Sequence, residues 1–147
     1  KKKYMDFVTN GKMAHFGTFN GNPLAMAGVR AIDRICSDEA LVIAEDFNLQ
    51  ALTRIGEIID EYQLPAHTVG FGIKGCVTWS TTPVRNYRDY KATDFGVAEA
   101  HWLFALNRGI ITPPGLDEQW LISLAHGQTE IDILVEDFRE FAKAIRA

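Results

Sequence analysis

Two short β-rich segments, with helical patterns on both sides, constrain the fold of this chain more than any other feature. Residues 67–71 and 76–80 carry β-branched and aromatic side chains, and a glycine-containing connection joins them, which is typical of a β-hairpin. Further strands are predicted at 110–112 and 120–124, on either side of a turn at 113–115. Because strands come in pairs and helices follow in separate blocks, we expect an α+β fold, with a small and mainly antiparallel sheet and helices packed on it.

Four helical patterns account for most of the remaining chain. The first covers 23–35 and begins after Asn22, because asparagine is a good N-cap and the proline that follows it is tolerated at the first helical position. The other three cover 38–64, 93–108 and 129–147. The last of these has the clearest amphipathic pattern, so we expect it to bury one face.

The composition is that of an ordinary soluble globular domain. The 147 residues are 47% hydrophobic and 23% charged, and a chain of this length buries enough surface for a real core. A net charge of −4 provides no basic surface for nucleic acid. No apolar stretch reaches the roughly 18 residues that span a membrane, and the four scattered histidines favour no metal site.

The N-terminus and the cysteines indicate the cellular compartment of the protein. The chain lacks an N-terminal apolar signal region, and Cys36 and Cys76 lie in apolar surroundings that favour reduced thiols over a disulfide. These features predict a cytoplasmic protein. The first residue is Lys1 rather than methionine, which suggests that the sequence begins inside a longer polypeptide.

The most unusual segment is the loop 15–22, which lies directly before the first long helical pattern. It holds Gly17, Gly21 and Thr18 together with two asparagines. Such a loop can direct backbone N–H groups and a hydroxyl at an anion. It matches neither a Walker loop nor a dinucleotide fingerprint, so a capped turn with nothing bound explains the same residues.

Two arginines form a second candidate site. Arg85 and Arg88 lie in a polar loop, 81–94, that is rich in turn residues. A guanidinium fork suits a carboxylate, so either arginine could bind a substrate carboxylate. A solvated loop charge, or a structural pair with Asp89, is the simpler reading.

Ser123, His126 and Asp132 contain the residue types of a hydrolytic triad. The sequence has no G-x-S-x-G turn around Ser123. Asp132 falls in the first turn of the last predicted helix, where capping and the helix dipole explain a carboxylate. We therefore expect His126 to order the loop between strand and helix rather than to catalyse hydrolysis.

Residues 15–26 read HFGTFNGNPLAM, and R-G-I-I at 108–111 and A-H at 125–126 follow later in the chain. This order of motifs resembles that of class III pyridoxal-phosphate (PLP) aminotransferases, most closely their glutamate-1-semialdehyde 2,1-aminomutase branch. Residues 15–26, HFGTFNGNPLAM, are similar to that family's G-T-x-x-G-N-P-l-a-m segment. The family's C-terminal pattern is also matched, by an R-G-I-I run at 108–111, an aromatic and serine segment at 120–123, and the A-H and T-E-I-D residues at 125–132. The resemblance covers essentially the whole chain.

The resemblance implies a definite role for the glycine loop. In the family, the residues that match Gly17 and Thr18 bind the cofactor phosphate of the neighbouring subunit of a homodimer. Residues 1–22 would then be a phosphate-loop segment that leads from a missing large domain, and 23–147 would be the C-terminal small domain that covers the active site. The small-molecule substrate would be an amino acid.

The same resemblance implies that the chain alone is not a catalyst. The family's Schiff-base lysine precedes a glycine-rich stretch, and neither the lysines at 1–3 nor Lys12 fit that pattern. No catalytic residue is therefore assigned here, and PLP is not expected to bind to this chain alone. An ω- or β-amino-acid transaminase, or a non-catalytic interaction module derived from the PLP fold, remains open as an alternative.

Overall fold

The computed structural model describes residues 2–113 and 119–146, and the chain divides into two compact units after Ser37. The turn predicted at 113–115 therefore lies largely outside the described residues. The helices and strands are α1 Lys2–Thr9, α2 Pro23–Ile35, α3 Asp38–Glu61, β1 His67–Phe71, β2 Lys74–Thr78, α4 Tyr87–Lys91, α5 Phe95–Asn107, β3 Gln119–Leu121 and α6 Gln128–Arg146.

The three strands form one antiparallel sheet in the order β1-β2-β3, which confirms the α+β prediction. His67 pairs with Thr78 in the hairpin, and Gly75 pairs with Trp120 across the second ladder. The second strand begins at Lys74, two residues before the predicted start. A two-residue turn at 72–73 suffices here because Gly72 adopts φ +57°, a conformation that glycine reaches without a steric cost.

The strand predicted at 110–112 is not present. After α5, Gly109 takes φ +89° and the Ile110 N–H donates to the Ala105 carbonyl, so the chain folds back on the helix end. The Trp102 indole then donates to the Thr112 carbonyl at 3.2 Å. These backbone groups are satisfied by the helix rather than by a sheet. The strand predicted over 120–124 is shorter than expected and ends at Leu121.

The core lies where α3 and α6 pack against each other and against the sheet. Ile55, Ile58 and Ile131 are fully buried with Phe138 in its centre. The amphipathic pattern predicted for the last helix is confirmed, since Val135 and Ala142 are buried on the same face as Ile131 and Phe138. Burial of such side chains provides about 1.5–3 kcal/mol each, so this unit contains its own source of stability.

A buried asparagine connects the long helix to the sheet. The Asn48 amide donates to the carbonyls of Gly72 and Lys74 at 2.8 and 2.9 Å, and its oxygen accepts the Trp120 indole N–H at 2.8 Å. The indole lies so close to Gly75 that a Cβ there would be 2.5 Å from the ring. The contact explains why the central strand carries glycine opposite a tryptophan.

Two helices lie in segments for which the sequence predicted irregular or turn structure. None of the four predicted helical patterns falls within 1–22, but Lys2–Thr9 is helical, as is Tyr87–Lys91 within the polar loop. The Asn86 side chain accepts the N–H groups of Arg88 and Asp89 and so begins the second of these helices. Helices of eight and five residues are shorter than the window of about 11–18 residues over which a helical period is recognised.

Details of two predicted helices also differ. In α5 the apolar Leu106 is 39% exposed, although it recurs at helical spacing with Ala98, and the buried positions are Ala98 and Ala105. At the start of α6 the reciprocal capping contact is made by Glu130, whose carboxylate accepts the Gly127 N–H at 2.7 Å. The expectation that capping explains the Asp132 carboxylate is therefore wrong, because the capping position belongs to Glu130, two residues earlier.

Within the described ranges, no helix is both long and apolar enough to cross a lipid bilayer. Cys36 and Cys76 are not joined in a disulfide.

Candidate functional site

The loop 15–22 consists of two successive turns that lead into α2. The Asn20 N–H donates to the Gly17 carbonyl at 3.0 Å, and the Asn22 N–H donates to the Phe19 carbonyl at 3.1 Å. Gly21 permits the second turn because it adopts φ +73°. Thr18 and Phe19 are thus the central residues of the first turn, and both are exposed.

Asn22 caps α2 as the sequence predicted. Its side-chain oxygen accepts the N–H groups of Leu24 and Ala25 at 2.9 and 3.2 Å. Pro23 has no N–H, and the Met26 N–H donates to the Asn22 carbonyl. The donors at the start of the helix are consequently already satisfied, so the helix terminus itself is not the anion site.

The donors that remain are those of the turn. Among the described residues, neither the hydroxyl nor the N–H of Thr18 has a hydrogen-bond partner, and the same holds for the N–H groups of Gly17 and Phe19. A phosphate dianion needs several directed donors. The residues present fit such a group, because a hydroxyl and neighbouring N–H groups lie together on an exposed turn without competing partners.

The two candidate arginines lie in different surroundings. Arg88 lines a cleft of about 470 Å³ together with Trp79 and Thr82, whereas Arg85 does not line it. The Asp89 carboxylate accepts the backbone N–H of Arg85 and the Asn86 side-chain amide, both at 2.9 Å. The pairing of Asp89 is therefore with backbone and amide rather than with a guanidinium, and both arginine side chains are exposed.

Two carboxylates also line or border that cleft. Asp89 is engaged by the loop, as described, and Asp94 accepts the Val97 N–H at 3.1 Å as the N-cap of α5. Their capping roles hold both carboxylates in place. Arg88 is the one basic side chain on the cleft among the residues that the structure describes.

Ser123 and His126 are neighbours, but they do not form a hydrolytic triad. The Ser123 N–H donates to His126 Nδ1 at 2.8 Å, and the Ser123 hydroxyl lies 3.3 Å from the same nitrogen. Asp132 instead pairs with Arg54 at 2.6 Å, and this contact holds the pKa of the Asp132 carboxyl below its usual value. The expectation that His126 orders the strand-to-helix loop is confirmed.

Two ionisable groups in the core region, the half-buried His101 and the buried Asp137, were missed from the sequence. Burial lowers the pKa of His101 to about 4, and the ring stacks on Phe141 with centroids 4.9 Å apart. Asp137 is 2% exposed and pairs with Arg108 at 2.5 Å; burial raises the pKa of its carboxyl, and Arg108 opposes the rise. Both groups lie at helical positions that are ordinarily apolar, so only their departure from the amphipathic pattern could have signalled them. The described residues contain no cluster of side chains that could hold a metal ion.

Comparison with solved structures places this fold among transaminases and aminomutases. A β-phenylalanine aminotransferase from Variovorax paradoxus superposes with a TM-score of 0.77 at 23% identity, over 90% of this chain and 30% of the other. A glutamate-1-semialdehyde aminomutase from Pseudomonas aeruginosa gives 0.76 at 21% identity, over 87% of this chain and 30% of the other. Both likenesses establish the fold.

Sequence comparison confirms the resemblance to glutamate-1-semialdehyde 2,1-aminomutases. The chain is 28% identical over 139 residues to such an aminomutase from Brevibacillus brevis, which covers 92% of this chain and 32% of that protein. It is 32% identical over 134 residues to the aminomutase of Thermomicrobium roseum, covering 89% of this chain and 31% of the relative. The chain thus spans about a third of the length of the relatives it matches. No protein-family model matches it.

Proposed function

We propose that this chain is the C-terminal part of a longer PLP-dependent aminotransferase or glutamate-1-semialdehyde 2,1-aminomutase. The observation that carries the proposal is the exposed turn at Gly17 and Thr18, whose donors are not used within the described residues. It occurs in a chain that is similar to an aminomutase over 92% of its length. An anion-binding turn and a cofactor that carries a phosphate are a chemical match.

PLP, when bound, supplies the electron sink for chemistry at the substrate's α-carbon. The role of this chain is to bind the phosphate group of the cofactor. The Thr18 hydroxyl and N–H donate to phosphate oxygens, and they do so across the interface of a homodimer, toward the cofactor of the neighbouring subunit. Such hydrogen bonds to a charged group contribute about 1.5–3 kcal/mol each.

The remainder of the polypeptide is the first partner that the proposal requires. None of the residues of α2 is buried, and Leu24, Val29 and Ile32 are exposed along it. A helix of 13 residues is marginal in water without packing, and Gly28 has no neighbour within 4 Å of a built Cβ. The small residues of α2, among them Ala25, Ala27 and Gly28, would let another backbone pack closely against the helix. That partner would be the large PLP-binding domain or the second subunit.

Arg88 is the better of the two candidates for the substrate carboxylate, since it lines the cleft beside Trp79 and Arg85 does not. In the longer enzyme, Arg88→Ala should raise the Michaelis constant for the amino-acid substrate about tenfold or more, from the loss of a charge-assisted contact. Arg85→Ala is the matched control and should change it little. Steady-state kinetics and PLP titration of both variants measure this. If the two variants changed the Michaelis constant by the same factor, Arg88 would be excluded as the ligand of the substrate carboxylate.

The similarity in sequence to aminomutases, at 28% and 32% identity, supports the aminomutase, whereas the fold is shared with ω- and β-amino-acid transaminases and does not separate the two reactions. Both reactions would use the same phosphate contact. Without the family's lysine, this chain alone should form no borohydride-reducible adduct with PLP at a specific lysine. A specific adduct together with turnover would instead make the chain an enzyme in its own right.

Thr18→Val tests the central claim. The substitution keeps the shape of the side chain and removes the hydroxyl, so PLP affinity of the longer enzyme should fall about tenfold to a hundredfold. Thr53→Val, at an exposed position of α3, is the control and should leave affinity unchanged. Fluorescence or absorbance titration with PLP measures both.

A mixed dimer tests the direction of the contact. Subunits with Thr18→Val are combined with subunits that lack the Schiff-base lysine. The single lysine-bearing site then receives an intact Thr18 from its partner and should bind PLP with wild-type affinity. A defect that persists in this dimer would place the contact within one subunit, and unchanged affinity in the Thr18→Val homodimer would exclude the hydroxyl altogether.

A further inference from the structure

An asparagine–glycine pair forms the centre of the second turn in the loop 15–22. The Asn22 N–H donates to the Phe19 carbonyl at 3.1 Å, so Asn20 and Gly21 are the two central residues of this turn. Gly21 adopts φ +73°, and both central residues are exposed. The turn is closed by the N–H of Asn22, and the Gly21 N–H has no hydrogen-bond partner among the described residues.

The Asn20 side chain is equally unrestrained. Its amide makes no hydrogen bond within the described residues, so it can rotate between its staggered side-chain conformers in solvent. The backbone nitrogen that follows an asparagine can attack the side-chain carboxamide, provided that this nitrogen is free and the carboxamide carbon can approach it. Glycine favours the attack because it has no side chain to obstruct the approach. Asn20 and Gly21 meet both conditions.

The other two asparagines of residues 2–37 do not meet these conditions. Asn10 also precedes a glycine, but the Gly11 N–H donates to the Val8 carbonyl at 3.1 Å. Asn22 precedes Pro23, whose nitrogen carries no proton, and its side-chain oxygen accepts two N–H groups at the start of α2. Asn10 is thus a matched control, with the same neighbour in sequence and an engaged N–H.

We propose that Asn20 is a site of spontaneous deamidation and that its modification weakens phosphate binding by the turn. The Gly21 nitrogen forms a bond to Asn20 Cγ while the bond from Cγ to Nδ2 breaks. The proton of the Gly21 nitrogen leaves with the Nδ2 group as ammonia, and a cyclic imide remains. One water molecule then opens the imide at either carbonyl, which yields aspartate or isoaspartate without any oxidant or reductant.

Both products place a negative charge in the turn that presents the Thr18 donors. Isoaspartate also adds a methylene group to the backbone between positions 20 and 21, which alters the turn itself. A carboxylate beside the Thr18 hydroxyl and N–H repels a phosphate dianion. This consequence rests on the proposed function, whereas the chemical step at Asn20 does not.

The first experiment follows deamidation of this chain by peptide mapping with mass spectrometry during incubation at mildly alkaline pH. Asn20 should be converted about fivefold faster than Asn10, the factor that corresponds to the one net hydrogen bond that must open at Gly11. Asn20→Gln keeps the amide but requires a larger and less favourable ring for the same attack. It should stay unmodified at position 20 while Asn10 reacts at its wild-type rate. Equal rates at Asn10 and Asn20, or no conversion at Asn20, would overturn the proposal.

The second experiment measures PLP affinity in the longer enzyme. Asn20→Asp places a carboxylate of the same length in the turn and should weaken affinity about tenfold. Asn20→Gln carries no charge and should lose much less affinity than Asn20→Asp. Wild-type enzyme aged without PLP should lose affinity in the fraction of molecules that mass spectrometry identifies as modified.

The two readouts separate this proposal from the proposed function. If Asn20→Asp binds PLP as well as Asn20→Gln does, while Thr18→Val binds it weakly, the effect of the modification is refuted and the phosphate contact stands. If neither Asn20→Asp nor Thr18→Val changes affinity, the proposed function fails together with the consequence of the modification. The relative rates at Asn10 and Asn20 in this chain are independent of PLP and decide the chemical step in either case.

Discussion

The two units of this chain differ in what stabilises them. Among the residues that the structure describes, every buried side chain lies in the second unit, around Ile55, Ile131 and Phe138, and none of residues 2–37 is buried. The first unit nevertheless carries the most specific motif, the turn at Gly17 and Thr18. This unit therefore carries a candidate binding loop without a core of its own, and the proposed domain or subunit interface would be the surface that covers it.

The most specific sequence motif and the buried core therefore lie in different units of this chain. The second unit follows ordinary packing rules, in which a sheet and amphipathic helices bury their apolar faces together. The first unit keeps its apolar side chains on the surface, and exposed apolar patches of several hundred Å² mark interaction sites. Mutations in the second unit should consequently lower the stability of this chain, whereas mutations in the first should act in the longer polypeptide.

The largest expected effect is that of Phe138→Ala on the stability of this chain. Phe138 is 1% exposed in the centre of the core, so the free energy of unfolding should fall by about 3–5 kcal/mol. Ile32→Ala is the matched change in the other unit. Ile32 is 57% exposed on α2, and its replacement should alter stability by no more than about 0.5 kcal/mol. Urea denaturation of both variants measures the contrast.

Comparable losses in the free energy of unfolding for Phe138→Ala and Ile32→Ala would contradict this difference between the units. In that case α2 would be part of the cooperative core of this chain, and its exposed face would not be reserved for a partner. Repeating Ile32→Ala in the longer polypeptide sharpens the comparison. There the substitution should lower stability or dimer affinity measurably, because the same side chain would be buried at an interface.

How much could be predicted from sequence follows the same division. Periodic apolar patterns identified α3, α5 and α6, and the hairpin followed from β-branched runs around a glycine turn. The strand predicted at 110–112 is absent because Gly109 turns the chain back onto α5, which is tertiary packing that a short apolar run does not encode.

The site was partly predictable for a related reason. The Gly17-Thr18 turn was visible because glycine, threonine and a helix cap form a local pattern. That the Gly21 N–H stays without a partner among the described residues was not, because it depends on which N–H group closes the second turn. The pairing of Asp132 with Arg54 joins residues 78 positions apart, and no local pattern could reveal it.

His101 belongs to the unit with the core and provides a test of how well that core excludes water. Its ring stacks on Phe141 and meets Phe138 edge-on with centroids 5.2 Å apart. Burial favours the neutral imidazole and lowers its pKa from 6.5 to about 4. Since the unfolded chain takes up a proton near pH 6.5 while the folded one resists until about pH 4, stability is fully present above pH 6.5 and is lost as the pH falls toward 4.

The expected loss over this window is about 3 kcal/mol, at about 1.36 kcal/mol for each unit of pKa difference. His101→Phe keeps an aromatic ring against Phe141 and removes the titrating group. The variant should therefore lose less stability than wild type between pH 6.5 and pH 4, as measured by urea denaturation across that range. Asp137 acts in the opposite sense, because its raised pKa favours the folded state as the pH falls, and it is present in both proteins. Parallel pH profiles for wild type and His101→Phe, or an NMR titration of the His101 ring with a midpoint near 6.5, would mean that water reaches this histidine and that the core between α5 and α6 is more open than the packing around Phe138 indicates.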